Sequence, residues 1–295
     1  MKMPHLFVLR CCHQRGLTLI EIMVALLIGS FLLAGVIQIF IVNKQTYRAQ
    51  ENLSRLQEDG RFALDLLNRY LRLAGYTGAE TNVNYIGKQC REKIYGSTPI
   101  FKSPYTPLLG TSNDQLNDSD SITVSFEGPR APETMSDCLG NPINSPTTGA
   151  VTRASNRFFI DNFKDPTSGK MTPTLYCDPL HSNGTDSSSE PLLSGVENMQ
   201  IRYGQVLDKN QLTYVPINSV TDISQVESIQ IRLLMRSADE INSQPQSYRF
   251  DYNSDGVDEV INPGDTDHPG DRRSRRVFTT TIALRNLVGC AETNP

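Results

Sequence analysis

The residues that could do chemistry in this 295-residue chain are few and widely separated. The histidines are His5, His13, His181 and His268. His5 and His13 lie near the N-terminus, and neither His181 nor His268 has metal-ligand spacing to a cysteine or to another histidine. The chain has no G-x-S-x-G elbow and no H-E-x-x-H pair, and Gly169-Lys170 is followed by Met171, so a phosphate-binding loop is missing as well. We therefore expect a protein that is not an enzyme.

One acidic segment near the C-terminal end of the chain has the spacing of an ion site. The predicted ligands of a calcium ion are Asp251, Asn253, Asp255, the carbonyl of Val257, and Glu259. Gly256 stands where a calcium loop turns sharply, but Asn262 replaces the bidentate glutamate that usually closes such a loop. Calcium is thus the one cofactor that the sequence suggests. The alternative is a polar turn stabilised by its own Asp and Asn side chains.

The cysteines indicate an oxidising compartment. Cys11 and Cys12 lie near the N-terminus, and the other four are Cys90, Cys138, Cys177 and Cys290. An even, widely spaced set without a C-x-x-C pair favours two disulfides, with a zinc site or free buried thiols as alternatives. Four cysteines allow three pairings. Because Cys138 and Cys177 flank a predicted strand at 157–160, we expect Cys138–Cys177 and, for the other two, Cys90–Cys290.

A long apolar segment must be placed before any of these residues can be positioned. Residues 17–42 read LTLIEIMVALLIGSFLLAGVIQIFIV and contain one charged residue, Glu21. About 20 apolar residues are enough to span a bilayer as a helix, so the segment predicts a transmembrane helix. The preceding stretch carries Lys2, Arg10 and Arg15 and no acid. Because positively charged flanks stay in the cytoplasm, the body that follows should lie on the other side of the membrane.

Glu21 is the informative residue of this segment. A carboxylate at the centre of a membrane helix costs about 2.5–3.5 kcal/mol, so such a residue normally has a functional partner. If the chain were cut between Gly16 and Leu17, the new amine would precede Glu21 by four positions and share its helical face. The amine of one subunit could then neutralise the carboxylate of its neighbour in a helical bundle. The alternative is that Glu21 lies solvated at the depth of the lipid headgroups.

Residues 15–21, RGLTLIE, closely resemble the prepilin cleavage motif of type IV pilins and type II secretion pseudopilins. The resemblance implies that a membrane prepilin peptidase cleaves after Gly16 and methylates the amine of Leu17. The family most often has phenylalanine at that new terminus, where this chain has Leu17. Three domains follow, namely a leader over 1–16, a helix over 17–74 and a globular, extracytoplasmic, β-rich domain over 75–295.

The remaining sequence predicts an α+β fold. Residues 43–74 contain no proline and show apolar residues at helical spacing, which indicates an amphipathic continuation of the transmembrane half, with a bend or local break expected at Gly60. Five short apolar runs beyond it read as strands: 121–126, 157–160, 199–203, 228–235 and 277–284. We expect a long spine helix packed on an antiparallel sheet, with long loops over 81–120 and 237–276.

Two further segments resemble the PilW family of minor pilins. They are the helix end, RFAL at 61–64 with YLRLAGYTG at 70–78, and the closing run TTIALRN at 280–286. The resemblance implies a structural subunit that promotes type IV pilus assembly near the tip, working with other minor pilins, the major pilin and a tip-associated adhesin. It also implies a single-pass protein of the inner membrane, with its body in the periplasm, that later moves into the pilus at the cell surface.

Two alternatives remain open at this point. A type II secretion pseudopilin shares the leader and the spine, and a membrane-tethered module could bind a surface or DNA through its loops. Nucleic acid is not the predicted partner, because without the leader the chain has 25 basic and 32 acidic residues. The arginines at 272, 273, 275 and 276 form a short run that we interpret as a solvated loop.

Overall fold

A computed structural model describes residue 16 and residues 18–77, 106–146, 151–182, 188–207, 211–252, 254–265 and 269–288. These residues fall in two compact units, Met1–Ala49 and Gln50–Pro295. Helix α1, Leu19–Leu71, runs through both units and has 53 residues. The strands that follow are all in the second unit. The α+β class predicted from the sequence is confirmed.

In the second unit, α1 buries one narrow stripe. The buried residues are Asn52, Leu56, Gly60, Ala63, Leu67 and Leu71, three or four positions apart, as one face of a helix requires. Helix α1 continues through Gly60, so the local break that the sequence suggested there is absent. The ring of Phe278 lies against Gly60 so closely that a Cβ atom there would come within 2.4 Å of the ring. The glycine is needed for packing.

The described residues contain thirteen strands. In chain order they are β1 Leu108–Gln115, β2 Ser119–Glu127, β3 Met135–Ser136, β4 Pro142–Ile143, β5 Arg153–Lys164, β6 Met171–His181, β7 Glu190–Ser194, β8 Val196–Leu207, β9 Gln211–Val215, β10 Val226–Glu240, β11 Tyr248–Phe250, β12 Glu259–Ile261 and β13 Arg273–Ala283. A short helix, α2, spans Arg285–Val288.

The strands form two main antiparallel sheets where the sequence predicted one. The five-stranded sheet has the order β1-β2-β5-β6-β7, and the four-stranded sheet has the order β13-β10-β8-β9. Two small hairpins, β3-β4 and β11-β12, stand beside them. Leu67 of α1 belongs to one buried cluster with Phe158 of β5 and Ile231 of β10, so the helix and both sheets share a core.

All five predicted strands are present, but each is longer than predicted, and several others were missed. β6 contains Pro173 and Pro179, which argue against a central strand because proline cannot donate to a ladder. The ladder between β6 and β7 covers only 174–177, so both prolines lie outside it. The expected loops at 81–120 and 237–276 are also wrong in part. β1 and the start of β2 lie within the first, and the end of β10, β11, β12 and the start of β13 lie within the second.

Candidate functional site

The predicted processing site lies just before α1. Gly16 is exposed, and Leu17 lies outside the described residues. Thr18 is the residue that starts the helix, since its Oγ1 accepts a hydrogen bond of 3.3 Å from the backbone N–H of Glu21. Its carbonyl accepts two more, from Glu21 at 3.1 Å and from Ile22 at 3.2 Å. The helix therefore begins two residues after the predicted new terminus.

Thr18 and Glu21 have the spacing of a capping box, which our sequence reasoning missed although the T-x-x-E pattern was available. Glu21 is the acidic residue of the first helical turn. A negative charge there is favoured by the positive end of the helix dipole. The helix dipole thus stabilises the Glu21 carboxylate in the first turn of α1. The side chain of Glu21 is exposed, so a cation can reach it.

The first part of α1 exposes its apolar side chains on every side. Phe31 is 71% exposed and Leu32 67% exposed, and nothing lies within 4 Å of a Cβ built at Gly35. Ser30 satisfies its hydroxyl within the helix by donating to the carbonyl of Leu27 at 2.8 Å. Among the described residues this is the one helix long and apolar enough to cross a membrane. An all-round apolar surface of this length suits lipid or the core of a helical bundle.

The C-terminal end of α1 is closed by residues from the far end of the chain. The side-chain amide of Asn286 donates to the carbonyl of Arg72 at 2.9 Å and to that of Ala74 at 3.3 Å. Gly75 takes a left-handed φ of +71°, and a Cβ there would meet Leu287 at 2.4 Å. The two segments that carry the PilW resemblance, the helix end and the closing run, thus lie in direct contact.

A disulfide fastens the β3-β4 hairpin to β6. It joins Cys138 to Cys177, while Cys90 and Cys290 lie outside the described residues. Beside it, the buried side chains of Asp137 and His181 approach within 3.1 Å. The hydroxyl of Tyr70, on α1, donates to the carbonyl of Asp137 at 2.9 Å. The bridge therefore holds in place the hairpin on which the helix rests.

A buried carboxylate links the two sheets. Asp120 of β2 accepts hydrogen bonds from the backbone N–H groups of Asn113 at 3.0 Å and Ile201 of β8 at 2.7 Å. The hydroxyl of Ser254 donates to it at 3.3 Å. Burial raises the pKa of Asp120 to about 6, against the opposing effect of these hydrogen bonds. Sequence reasoning gave no signal for this residue, because Ile201 and Ser254 come from distant segments.

Asp251, Asp255 and Val257, three of the predicted calcium ligands, lie on the turn between β11 and β12, and Glu259 is the first residue of β12. The buried Asp251 accepts hydrogen bonds from the backbone N–H groups of Asp255 at 3.1 Å and Gly256 at 2.8 Å. Asp255 in turn accepts one from the N–H of Val257 at 2.7 Å. These are the bonds of the alternative interpretation, a polar turn held by its own side chains.

An arginine supplies positive charge at this turn. A guanidinium nitrogen of Arg232 lies 3.6 Å from Asp251, and Arg232 is also paired with Asp258. Asn253 lies outside the described residues, and Glu259 is exposed. Within the described part of the chain, no three His, Cys, Asp or Glu side chains are grouped as metal ligands would be. The calcium site stays a prediction.

The arginine run lies in and next to strand β13, where the sequence suggested a solvated loop. Arg275 is nearly buried and pairs with Glu197 at 2.6 Å and with Asp271 at 2.7 Å. Burial disfavours its charge, but the bonds to these two carboxylates outweigh that and leave the pKa of Arg275 above its usual value. Arg272 pairs with Glu240 at 2.8 Å. These side chains are held by acids and form no open phosphate-binding patch.

Comparison with known proteins gives three findings. Residues 157–286 match the family of type IV pilus-assembly protein W, and residues 11–37 match the prokaryotic N-terminal methylation motif. A solved type IV-like pilin from Thermus thermophilus is similar at 15% identity, with 79% of this chain and 97% of that chain covered and a TM-score of 0.42. No curated protein matches the chain.

The family match and the motif cover different parts of the molecule. The first runs from β5 to α2, and the second contains Gly16, Leu17 and Glu21. They confirm the resemblance seen in the leader and in the closing run. Together they support a minor pilin of the type IV pilus, of the PilW type.

Proposed function

We propose that this minor pilin promotes pilus assembly from a position near the filament tip. The observation that carries the proposal is the pairing of a methylation motif and membrane-length helix with a body that matches a pilus-assembly family. By that likeness its partners are the prepilin peptidase, other minor pilins, the major pilin and a tip-associated adhesin. Its role is structural, and we propose no catalytic activity.

The helix beginning at Leu19 suits both stages of this role. In the inner membrane its exposed apolar surface faces lipid, and the body occupies the periplasm. After cleavage at Gly16 the same surface packs among the helices of the filament core. Glu21 then receives the methylated amine of Leu17 from a neighbouring subunit, which neutralises a carboxylate that would be costly in an apolar bundle. This contact between Leu17 and Glu21 fixes the position of each incoming subunit relative to the previous subunit.

Processing is tested by intact mass and N-terminal sequencing of the protein recovered from membranes. We expect a chain that begins at Leu17 and carries one added methyl group. The same chain should stay uncut without the prepilin peptidase, and so should Gly16→Ala. An uncut wild-type chain would overturn the division into a leader, a helix from 17 to 74 and a body from 75.

Assembly is tested by counting surface pili in a strain that lacks the protein and is complemented with variants. The wild type should restore pili, and Glu21→Ala should not, although it is still processed. Asp65→Ala is the matched control, because Asp65 is also an exposed acid of α1 but lies beyond the membrane-length part. Restoration of secretion instead of pili by the wild type would identify a type II secretion pseudopilin.

Position in the filament is tested with an epitope inserted after Ser168. This residue lies in the exposed turn between β5 and β6, where the side chain of Asp165 holds the N–H groups of Thr167 at 2.7 Å and Ser168 at 2.9 Å. Gold-labelled antibody should mark one end of sheared pili. Labelling along the whole filament would reject the tip position and leave the assembly role intact.

A further inference from the structure

A cavity of about 440 Å³ opens in the second unit. It is lined by residues from both main sheets, from the turn between β1 and β2, and from the segment that contains β11. Small-ligand sites commonly occupy clefts of about 300–1,000 Å³, with aromatic walls and a few polar groups that fix the ligand. This cavity has a suitable size, so its lining decides which ligand it could hold.

The backbone along one wall of the cavity is already paired. The turn between β1 and β2 lies beside the start of β8 and bonds its backbone. The side-chain amide of Asn117 donates to the carbonyl of Glu197 at 2.9 Å, and the N–H of Ile201 donates to the Asp120 carboxylate at 2.7 Å. A peptide that binds as an added strand needs a free strand edge. This wall presents side chains in place of such an edge.

The charged side chains that line the cavity are one arginine and two acids. Glu197 and Arg236 form an ion pair of 3.2 Å, and their side chains are 9% and 13% exposed. Asp118 is exposed, and its carboxylate makes no hydrogen bond or ion pair with the described residues. The lining thus carries one net negative charge. An acidic ligand is disfavoured.

Further charges lie behind Glu197, outside the lining. Arg275 binds Glu197 at 2.6 Å and Asp271 at 2.7 Å, and Asp271 also lies 3.5 Å from Arg273. These three groups add one net positive charge next to the cavity wall. Counted with the lining, three arginines stand against three acids. A cationic ligand therefore gains no net attraction either, and the charges favour an uncharged one.

The lining offers unused hydrogen-bond donors and acceptors. A guanidinium group has five N–H donors, and Arg236 uses one terminal nitrogen for Glu197. Its side chain makes no other hydrogen bond with the described residues. The side-chain amide of Asn162, which has both a donor and an acceptor, also bonds none of them. With the Asp118 carboxylate as an acceptor, the lining suits a ligand whose own groups both donate and accept.

Two phenol rings supply apolar wall. Tyr248 and Tyr252 line the cavity, and their hydroxyl groups are 3.2 Å apart. The guanidinium of Arg275 lies 5.2 Å from the centre of the Tyr248 ring, and the Phe250 ring meets the Tyr252 ring edge-on at 5.0 Å. These contacts hold both rings in place. The rings therefore give fixed flat surfaces with polar tips.

We propose that this cavity binds a short uncharged saccharide. Sugar hydroxyl groups both donate and accept, so they fit the Arg236 guanidinium, the Asn162 amide and the Asp118 carboxylate. The apolar C–H face of a sugar ring packs on a phenol ring. This binding goes beyond the assembly role, and it does not depend on that role or on where the subunit sits in the filament.

The test is isothermal titration calorimetry of the full chain in mild detergent. The probes are three uncharged trisaccharides, namely maltotriose, cellotriose and tri-N-acetylchitotriose. Trigalacturonic acid is the acidic saccharide probe, triglucosamine is the cationic one, and triserine is the peptide probe. Comparison of these probes with one chain shows whether the cavity selects sugar and whether it selects charge.

Variants place the binding in the cavity. Met171, which lines the cavity, is 52% exposed, so Met171→Trp puts a large ring at its entrance. Leu212→Trp is the matched control, because Leu212 is 45% exposed on β9 and does not line the cavity. Asp118 has a φ of +56°, which glycine adopts freely, so Asp118→Gly removes the carboxylate without backbone strain. Asp118→Asn keeps an acceptor there and removes the charge.

We expect at least one uncharged trisaccharide to bind the wild type and Leu212→Trp equally. Met171→Trp and Asp118→Gly should each bind it about tenfold more weakly or not at all, whereas Asp118→Asn should stay close to the wild type. Near-ultraviolet circular dichroism checks that each variant is folded, and if either weakened variant is not, the other still decides.

The proposal is overturned if none of the three uncharged trisaccharides binds, or if Met171→Trp binds as tightly as Leu212→Trp. Tighter binding of trigalacturonic acid or triglucosamine would show that the cavity selects a charged ligand. Tighter binding of triserine would show that it is a peptide site. A loss in Asp118→Asn as large as that in Asp118→Gly would show that charge, and not hydrogen bonding, holds the ligand. Each of these results contradicts an uncharged saccharide.

Discussion

The two parts of helix α1 share one backbone geometry and differ in what surrounds their side chains. From Leu19 to Val42 the large apolar residues are exposed on every side. From Gln50 onward only a stripe is apolar and buried, and the other faces carry exposed charges such as the pair Glu51–Arg55, 2.8 Å apart. An all-round apolar helix requires another apolar medium, whereas a striped helix requires only the body it packs on. The apolar pattern of the sequence therefore distinguishes the part of α1 that serves assembly from the part that folds onto the body.

The glycines make the same contrast at single positions. Gly35, in the first part, has nothing near its missing side chain, and Gly60, in the second, has a phenylalanine ring in that place. A larger residue can therefore replace Gly35 without affecting the fold of the subunit, whereas Gly60 is essential for it. Four changes would break or sharpen this contrast.

The largest effect is expected from truncating the buried stripe. Leu67 is fully buried in the shared core, so Leu67→Ala should lower the free energy of unfolding by about 3 kcal/mol through lost burial and an unfilled cavity. Leu32→Ala, at a 67% exposed position of the first part, should leave it unchanged. The measurement is urea unfolding in mild detergent, followed by the near-ultraviolet circular dichroism of the tyrosines, since the chain has no tryptophan. Equal losses in both variants would erase the distinction.

A change of pH should act on the packed unit through Asp120. Its pKa is raised from 3.8 to about 6, so between these values the folded state holds a proton that the unfolded state has lost. The stability that this proton contributes is fully present below about pH 4 and is lost as the pH rises through about 6, by about 1.4 kcal/mol per pH unit and about 3 kcal/mol in all.

Asp120→Asn cannot titrate and should lack this loss. Urea midpoints at pH 4.5 and pH 7.5 should therefore show the wild type losing more stability on the way to neutrality than the variant does. Other groups contribute equally to both chains, so the difference between them isolates Asp120. A pH profile of the variant parallel to that of the wild type would show that the buried carboxylate is not the titrating group.

A larger side chain at position 60 should lower the free energy of unfolding somewhat less. Gly60→Val drives two methyl groups into the ring of Phe278, and overpacking of this kind costs about 1–3 kcal/mol. Gly35→Val meets open space and should leave urea unfolding of the body unaltered. We expect Gly60→Val, Phe278→Ala to recover part of the loss, because the double change removes the clash. A Gly60→Val chain as stable as the wild type would mean that the helix and β13 can separate easily.

The smallest effect concerns the end of the helix. Asn286→Ala removes two hydrogen bonds to carbonyl groups, at Arg72 and Ala74, and should lower the free energy of unfolding by about 1 kcal/mol. Arg285→Ala, at the exposed neighbouring position, should be neutral. Hydrogen exchange of the last turn of α1 gives a local readout, and it should speed up in Asn286→Ala alone. Unchanged hydrogen exchange there would show that Asn286 does not stabilise the end of the helix.

Patterns that act over a few residues could be predicted from the sequence, and contacts between distant segments could not. The apolar span, the stripe and the alternation in β10 are local, and they gave the fold class and five strands correctly. In the sequence Gly60 suggests a helix break, but in the structure the ring of Phe278 packs against it, which explains why a glycine is needed there. The prolines of β6 argue against a strand in the sequence. Whether a strand tolerates them depends on how far its neighbour, β7, extends.

The candidate sites divide in the same way. The cleavage motif at Gly16 could be read directly, because a peptidase recognises consecutive residues. The ion pairs of Glu197 could not, since Glu197, Arg236 and Arg275 come from three strands and their charges pair only after the sheet has formed. The acidic turn at Asp251 has the spacing of ion ligands, but spacing does not reveal that Arg232 stands beside it.

The closure of α1 by Asn286 has a consequence for how the protein is made. The amide and the carbonyl it binds at Arg72 are 214 residues apart in the chain. A ribosome produces the helix first, so the end of the helix can be closed only after residue 286 has been made. Until then the carbonyl groups of Arg72 and Ala74 lack the Asn286 amide. This contact therefore forms only when nearly the whole chain is present.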